Sequence, residues 1–284
     1  MNNDNYQGET TVLLVIDIGN TNTVIGLFEN DRLRCDWRIR TERNTTEDEL
    51  SVLVAQLFAG AGIDPGAIRK TVISSVVPPV ERIYANFCKK HLNCSPLWVD
   101  PTTGSGMPNR YANPAEVGAD RIVNAVAAYQ KYRCRLIVVD FGTAITVDLI
   151  SDNGEYLGGA IAPGIAIASE ALFKKASKLP RVDLLTPPAA VMGRDTAESI
   201  KSGIIFGYAG LVDGIVRRLQ EETGGPCPVI ATGGLAALIA DVSAVIETVE
   251  PDLTLEGLKI IAARQDTTAE KTGGAINRIF HESI

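Results

Sequence analysis

The chain has 284 residues, of which 45% are hydrophobic and 21% charged, and its formal net charge at pH 7 is −7. This length allows two domains, each with its own core, and the composition is that of an ordinary globular protein. The lack of a basic cluster disfavours nucleic-acid binding, and the lack of an apolar run of about 18 residues disfavours a membrane span.

The first predicted element is a β-hairpin that follows a polar, acidic extension, residues 1–11, which lacks the features of a signal peptide. The apolar run Val12–Ile16 leads into Asp17, a turn of Gly, Asn and Thr, and a second apolar run, Val24–Phe28. Such a turn presents N–H groups and hydroxyls that suit a phosphate, and a carboxylate at a strand end needs donors or a cation. Taken alone, a plain hairpin explains the stretch about equally well.

The rest of the first half predicts alternating strands and helices. Arg32–Arg40 alternates as a third strand, and Thr46 with Glu49 has the spacing of a capping box at the start of a helix that Gly60 and Gly62 end. The elements that follow are a strand at Thr71–Val77, a helix at Val80–His91 and a short strand at Leu97–Val99.

The segment Pro101–Asn113 is irregular and rich in proline and glycine, so it is either a substrate-contacting loop or a plain connector. Asn113-Pro114 then has the features of a helix start, which predicts a helix through Asp120 to about Tyr132. Asp120 would lie beside the apolar face of this helix. The helix dipole also favours an acid there for purely structural reasons.

A second copy of the hairpin begins at Leu136. Aligning Asp140 with Asp17 also aligns Gly142 with Gly19, and the apolar residues before and after the turns match. A duplicated strand–Asp-x-Gly–strand unit predicts two similar half-domains that face each other. Two such turns can hold a polyphosphate from both sides.

The second half continues with further elements and a turn of interest. Thr232-Gly233-Gly234 joins a strand to a helix, as an anion-contacting turn or a plain connection. The tail Gln265–Ile284 lacks a core periodicity and is predicted to be peripheral. The elements are a strand at Tyr156–Ile161, a helix at Ile165–Lys175, a long helix from the cap Asp195 to Glu222 and a strand at Pro228–Ala231.

Several kinds of site are disfavoured by the sequence. A P-loop, a G-x-G-x-x-G after a strand and a G-x-S-x-G are all missing, and the two histidines, His91 and His281, are predicted to be solvated. Five widely spaced cysteines argue against a disulfide framework or zinc site and favour a reducing cytoplasm. The remaining acids at strand ends and donor-rich turns suit phosphoryl transfer from a nucleotide.

Several motifs together resemble those of the type III pantothenate kinase family, over Leu13 to Ala262. They are Asp17-Ile18-Gly19-Asn20-Thr21-Asn22, Gly118-Ala119-Asp120-Arg121, Asp140-Phe141-Gly142-Thr143-Ala144, Gly158-Gly159 with Pro163-Gly164, and Thr232-Gly233-Gly234. The resemblance implies an α/β, actin/hexokinase-like (ASKHA) fold with two duplicated ribonuclease-H-like domains and ATP between them. We expect these domains at residues 12–126 and 127–264, with peripheral extensions at 1–11 and 265–284.

The resemblance also implies an activity, which is the ATP-dependent phosphorylation of pantothenate to 4'-phosphopantothenate, the first step of coenzyme A biosynthesis. Asp120 would be the general base and Asp140 would bind a monovalent cation, K⁺ or NH₄⁺, with Mg²⁺ as a further cofactor. The residues implied to bind ATP are Asp17, Ile18, Gly19, Asn20, Thr21, Asn22, Thr23, Val24 and Thr143. The residues implied to bind pantothenate are Tyr111, Gly118, Ala119, Asp120, Arg121 and Thr196.

The family implies a homodimer with the substrate pocket near the subunit interface, and we expect no nucleic-acid or membrane partner. Another kinase of the same superfold, acting on a sugar or acetate, is an alternative that acceptor choice would distinguish. A second alternative is a non-enzyme, such as an accessory transcription factor or an actin-like chaperone. The intact Asp120 and both phosphate turns argue against it. Ile145, where many relatives have threonine, is predicted to point away from the turn.

Overall fold

The computed structural model describes residues 12–176 and 178–266. Contacts divide these residues into two compact units. Unit 1 contains the described residues up to Asp100 and from Leu258 onward, and unit 2 contains Pro101–Gly257. The predicted boundary at residues 126/127 therefore falls inside unit 2, within a helix, and the two ribonuclease-H-like domains at those bounds stay a prediction. The extension 1–11 and most of the predicted tail lie outside the described residues.

Unit 1 is a five-stranded sheet whose strand order is β3-β2-β1-β4-β5. The pairs β1–β2 and β2–β3 are antiparallel, whereas β1–β4 and β4–β5 are parallel. Two helices pack on one face of the sheet and bury its core. The elements are β1 (Val12–Ile18), β2 (Asn22–Glu29), β3 (Arg32–Arg40), α1 (Glu47–Gly60), β4 (Ile68–Ser75), α2 (Pro78–His91) and β5 (Leu97–Trp98).

The helix starts of unit 1 follow local sequence signals. The capping box is present, since the Glu49 N–H donates to Thr46 Oγ1 at 3.2 Å and the Thr46 N–H donates to a Glu49 carboxylate oxygen at 2.8 Å. Helix α2 begins at Pro78, two residues before the predicted start, because proline is tolerated in the first helical turn. His91, at the end of α2, lies 3.1 Å from a carboxylate oxygen of Asp48.

Unit 2 repeats the arrangement with the order β10-β9-β6-β7-β8, in which three antiparallel strands are again followed by two parallel ones. Asp17 and Asp140 each lie one residue before the end of the first strand of a sheet. The predicted duplication is thus confirmed. The elements are α3 (Ala119–Tyr132), β6 (Leu136–Phe141), β7 (Ala144–Ile150), β8 (Tyr156–Pro163), α4 (Ile165–Lys175), α5 (Thr196–Glu222), β9 (Val229–Thr232), α6 (Ala236–Ala240) and β10 (Thr248–Val249).

The predicted start of the helix that carries Asp120 is wrong. A short 3-10 turn at Pro114–Glu116 is followed by Gly118, whose backbone is not helical, so α3 begins at Ala119. The amide of Asn113 donates to the Glu116 side chain instead of capping the backbone. Asp120 therefore lies in the first turn of α3, and residues 121–128 are buried on every side of the helix rather than along one stripe.

The last part of unit 2 contains the longest helix. Among the described residues, α5 is the helix whose length and hydropathy would allow a membrane crossing. Such a helix is weak evidence of a membrane span, because core helices pass the same test, and the buried residues of α5 belong to the core around β6 and β7. Strand β10 and a helix over residues 253–266 were not predicted.

Candidate active site

The carboxylate of Asp17 meets a hydroxyl from the neighbouring parallel strand. Asp17 pairs with Ser74 across β1 and β4, and Ser74 Oγ donates to Asp17 Oδ1 at 2.6 Å. Asp17 is half-buried, so the hydrogen bond offsets part of the cost of removing its charge from water. The carboxylate thus has a hydrogen-bond donor from β4 at the end of β1 that precedes the turn.

Hydrogen bonds stabilise the turn between β1 and β2, and the tip of this turn is exposed to solvent. The Gly19 N–H donates to the Asn22 carbonyl at 3.0 Å, and Thr41 Oγ1 donates to the Gly19 carbonyl at 2.7 Å. Asn20 and Thr21 are exposed, whereas Thr23 is fully buried. The hydroxyls of Thr23 and Thr41 lie 2.9 Å apart, and Tyr84 also donates to Thr23. Thr23 thus supports the turn from behind.

Three other residues implied to bind ATP also differ in how exposed their side chains are. Asn22 is exposed, Val24 is half-buried and Ile18 is fully buried. Only the backbone of Ile18 could therefore face a ligand in this structure.

Asp140, near the end of β6, lies against α3 and the turn that follows β9. Asp140 Oδ2 accepts a hydrogen bond from the Asn124 side chain of α3 at 3.1 Å, and Thr254 donates to the Asn124 carbonyl oxygen at 2.7 Å. Gly233 approaches so closely that a Cβ there would lie 2.5 Å from Asp140 Oδ1, and its φ is +94°. The turn after β9 is therefore packed against Asp140, while Thr143 is exposed.

Asp120 is half-buried in the first turn of α3, where its Oδ1 accepts the Arg121 backbone N–H at 2.8 Å. Burial raises the pKa of the Asp120 carboxyl above its ordinary value, and the nearby charge of Asp148 raises it further. The Arg121 N–H and charge act in the opposite direction. The net effect is a carboxyl whose pKa is moved toward neutral pH, as a general base requires.

A buried ion pair lies beside Asp120. The Arg121 guanidinium donates from Nε and Nη2 to Asp148 Oδ1, at 2.9 and 2.5 Å. The Tyr156 hydroxyl donates to the same oxygen at 2.8 Å, and Thr146 Oγ1 donates to Oδ2 at 3.0 Å. Asp148 is 1% exposed and Arg121 6% exposed. Each of these charges is therefore both paired and hydrogen-bonded, which is what makes its burial tolerable.

The sequence interpretation missed Asp148 and Tyr156. A signal was present, because Asp148 interrupts the apolar run of a buried strand and a carboxylate there requires donors. Arg121, within a helix that is otherwise almost entirely apolar on its buried faces, is the matching cation. Reading these two exceptions together would have predicted the pair.

The irregular segment after Pro101 brings Tyr111 to this cluster. Asn109 ties the segment together, since it accepts the Tyr111 N–H at 3.0 Å and donates to the carbonyls of Pro101 and Pro114. The rings of Tyr111 and Tyr156 lie 6.4 Å apart. The segment is thus held in a defined conformation that places Tyr111 beside Tyr156, and its contact with substrate stays a prediction.

The glycines of β8 and its end are explained by close packing. A Cβ at Gly159 would lie 1.9 Å from the Val147 carbonyl, and one at Gly164 would lie 2.2 Å from the Thr143 carbonyl. A Cβ at Gly158, whose φ is +120°, would lie 3.4 Å from the ring of Tyr111. Of these glycines, Gly158 is the one that lies beside Tyr111, whose ring is close to Tyr156.

Thr196 lies elsewhere in unit 2. It is exposed at the first position of α5 and lines a pocket of about 800 Å³ with Arg194, Ser199 and residues of α4. The lining of this pocket does not include Tyr111 or the residues Gly118–Arg121. The structure therefore brings Tyr111 and Arg121 together around Tyr156, with Asp120 next to Arg121, whereas Thr196 lines a pocket that these residues do not line.

Comparison with known families gives a match over most of the chain. A family model described as type III pantothenate kinase matches residues 13–218. The type III pantothenate kinase of Desulfosudis oleivorans is 67% identical over 252 residues, which cover 89% of this chain and 99% of that protein. That of Desulfatibacillum aliphaticivorans is 63% identical over 253 residues, covering 89% and 98%.

Solved structures share the fold at low identity. A putative Baf family transcriptional activator from Campylobacter jejuni aligns with a TM-score of 0.58 at 21% identity and covers 89% of this chain and 99% of its own. MreB 5 of Spiroplasma citri aligns with 0.52 at 11%, covering 93% and 99%. Acetate kinase of Entamoeba histolytica aligns with 0.50 at 12%, covering 88% and 98%. At these identities the likeness shows the fold alone, and that fold is actin/hexokinase-like.

Proposed function

The chain belongs to the type III pantothenate kinase family, and on that premise we propose which of its residues carry the reaction. The protein is a kinase that uses ATP to phosphorylate pantothenate, the first step of coenzyme A biosynthesis. The roles of individual residues, the cations and the oligomeric state make up the proposal.

Asp120 accepts the proton in this proposal. The terminal hydroxyl of pantothenate gives its proton to the Asp120 carboxylate, and its oxygen forms a bond to the γ-phosphorus of ATP. The bond from that phosphorus to the bridging oxygen breaks, and ADP leaves. The observation that carries the proposal is the raised pKa of Asp120 at a half-buried helix start beside Arg121 and Asp148. A positioned base contributes about 10² to 10⁴ in rate.

ATP phosphates bind the first turn in this proposal. Asn20 and Thr21 offer exposed side-chain donors, Thr143 offers an exposed hydroxyl from the second turn, and half-buried Gly19 shapes the first turn through its bond to the Asn22 carbonyl. Thr23 contributes from behind, through its bonds to Thr41 and Tyr84, rather than by touching ATP. The remaining members of the set, Ile18, Asn22 and Val24, contribute backbone, and Asp17 contributes its carboxylate.

The cations are proposed from the oxygen atoms available. No group of three or more His, Cys, Asp or Glu side chains that could hold a metal occurs within residues 12–176 and 178–266. Gly233 packs closely against the second turn, since a Cβ there would lie 2.5 Å from Asp140 Oδ1 and 2.7 Å from both the N and the O of Phe141, so the Asp140 carboxylate and the Phe141 carbonyl come close together. Asp140 would hold K⁺ or NH₄⁺ there, and Asp17 would hold Mg²⁺ or its waters. Bound cations neutralise phosphate charge.

Pantothenate is a carboxylic acid with an amide, and the cluster around Arg121 offers it a cation, the aromatic ring of Tyr111 and the backbone of Gly118 and Ala119. Thr196 is proposed as a further contact. Because its pocket does not include the Arg121 cluster, this contact would come from the second subunit of a dimer.

A homodimer is supported by exposed apolar side chains of β8 and α4. Ile161 is 63% exposed, Ile167 50%, Leu172 40% and Phe173 37%. Apolar patches of this kind usually mark interaction surfaces. Light scattering should then give twice the chain mass of 30.3 kDa.

We propose a cytoplasmic location because all five cysteines are free.

One coupled assay tests the proposal. ADP release should require pantothenate and should be faster in potassium than in sodium chloride. Glucose or acetate as acceptor should give the background rate. ADP release with either of these in place of pantothenate would favour another kinase of the superfold. Equal rates in the two salts would contradict the proposed role of a monovalent cation.

A further inference from the structure

Asp148 is a buried acid that the proposed mechanism does not use. It lies in the middle of β7, and four hydrogen bonds end on its two oxygens, from two nitrogens of Arg121 and from the hydroxyls of Tyr156 and Thr146. The guanidinium also lies over the Tyr156 ring, 5.7 Å from its centroid. The position of the Arg121 side chain is thus determined by Asp148 and Tyr156 together.

Stability alone does not explain this arrangement. Replacing a buried ion pair by apolar residues of similar volume is often neutral or stabilising. What distinguishes the pair is its place, because Arg121 follows Asp120 directly and its charge is near enough to lower the pKa of the Asp120 carboxyl. The Arg121 backbone N–H donates to Asp120 at 2.8 Å, while the guanidinium is bound to Asp148.

We propose that Asp148 is a positioning residue for the phosphoryl transfer, which binds the guanidinium of Arg121 so that the carboxylate of Asp120 remains available as the base. The proposal rests on the role of Asp120 given above. It assigns different roles to two acids of the same site, since Asp148 binds the guanidinium of Arg121 and Asp120 accepts the proton of the alcohol.

The charge of Asp148 has a second consequence. It raises the pKa of Asp120, whereas the charge of Arg121 lowers it. Substitution of Asp148 by asparagine removes the first effect and leaves the second uncompensated, so both changes lower the pKa of Asp120. The base then loses its proton at a lower pH and accepts a proton from the alcohol less readily.

The test is the pH profile of Asp148→Asn. We expect the acid limb of kcat/KM to move down by about one pH unit and kcat to fall about tenfold, with the KM for ATP unchanged. Asp148→Glu restores the charge and should return part of the acid-limb position. Glu155→Gln is the matched control, because it breaks an exposed arginine–carboxylate pair, with Arg110, one residue from Tyr156. Its profile should match the parent.

Folding of the variants is checked by thermal unfolding and by ATP binding. A folded Asp148→Asn protein with the acid limb of the parent would overturn the proposal. If that variant does not fold, Thr146→Val and Thr146→Ser decide, since they keep the charge and differ in the hydroxyl that bonds Asp148. A loss of kcat of about threefold in the valine variant alone supports the proposal, whereas equal rates overturn it.

Failure of the base assignment gives a different result. If Asp120→Asn turns over like the parent, the role of Asp120 is wrong whatever Asp148→Asn shows. If Asp120→Asn is inactive and the Asp148→Asn profile does not move, only the positioning role is lost.

Discussion

The two hairpins share a sequence motif but differ by one residue in register, and this difference gives their aligned threonines different surroundings. In β1–β2, Asp17 pairs with Val24, whereas in β6–β7, Asp140 pairs with Thr146. The motif aligns Thr23, not Val24, with Thr146. A shift of one residue turns a side chain to the other face of a sheet. Thr23 therefore points to the face of its sheet opposite to Asp17, whereas Thr146 points to the same face as Asp140.

The consequence is visible in their partners. Thr23 faces the core under α1 and α2 and bonds Tyr84, while Thr146 faces α3 and bonds Asp148. On the α3 side of the second sheet, Asp140, Thr146 and Asp148 therefore share one face. A repeat that reads as two equal copies is thus built as one turn with a buried support and one turn with a polar network. Substitutions in each hairpin can test this division of roles.

The largest expected effect is on Asp120, which lies next to the polar network. Asp120→Asn should lower turnover by about 10²-fold or more while ATP still binds, because the amide cannot accept the proton. Steady-state kinetics and calorimetric titration with ATP measure the two effects. Asp241→Asn, an exposed acid of the same unit, is the control and should behave as the parent. Parent-like turnover of Asp120→Asn would remove it from the base role.

The next effect separates the two hairpin acids. Asp140→Ala should lose or weaken the difference between potassium and sodium salts, with turnover in potassium falling about tenfold, because the proposed cation site loses its carboxylate. Asp17→Ala should retain the salt preference and weaken ATP binding instead. Rates in matched potassium and sodium buffers measure the first, and nucleotide titration the second. A parent protein active without a monovalent cation would contradict the assignment of Asp140.

Substitution of two neighbouring glycines in the turn after β9, which packs against Asp140, should affect the stability of the protein differently. Gly233→Ala should destabilise the fold by about 1–3 kcal/mol, since φ is +94° and the Cβ would lie 2.5 Å from Asp140 Oδ1. Gly234→Ala meets nothing within 4 Å and should change little. Urea unfolding of both variants measures the difference. Equal midpoints would show that the turn does not need to approach Asp140 closely.

Much of the fold was predictable from local signals. The bounds of β3, α4 and α5 agree with the predicted ones because alternation, a proline–glycine pair and an aspartate cap mark them. The duplicated hairpin was predictable because identical residue types recur at equal spacing. The start of α3 was not, because Asn113-Pro114 has the residues of a cap and the break at Gly118 comes from backbone geometry that the sequence does not encode locally.

The site was predictable to the extent that it lies in contiguous motifs. Asp17, Asp120 and Asp140 each lie in such a motif, and in the structure each carboxylate accepts a hydrogen bond from another residue. The one-residue register shift was not visible, since aligned letters do not report which face a strand residue takes. Asp148 and Tyr156 were missed for the related reason that their partners come from a different element, α3, far away in the chain.

The smallest expected effect is the dependence of stability on pH, which follows from the direction in which folding moves the pKa of Asp120. This pKa is raised in the folded protein by burial and by Asp148, so the folded state binds more protons than the unfolded state at pH values between the unfolded and folded pKa. Asp120 therefore lowers the free energy of unfolding as pH rises from its unfolded pKa to its folded one, by about 1.4 kcal/mol for each pH unit that separates the two values. Asp120→Asn should lose this slope and be more stable than the parent at neutral pH, although inactive. Thermal unfolding between about pH 4 and 8 measures it, with Asp241→Asn as the control that keeps the slope. A variant no more stable than the parent at neutral pH would mean that Asp120 is well solvated, and the physical basis for a tuned base would be lost while the polar network around Asp148 remained.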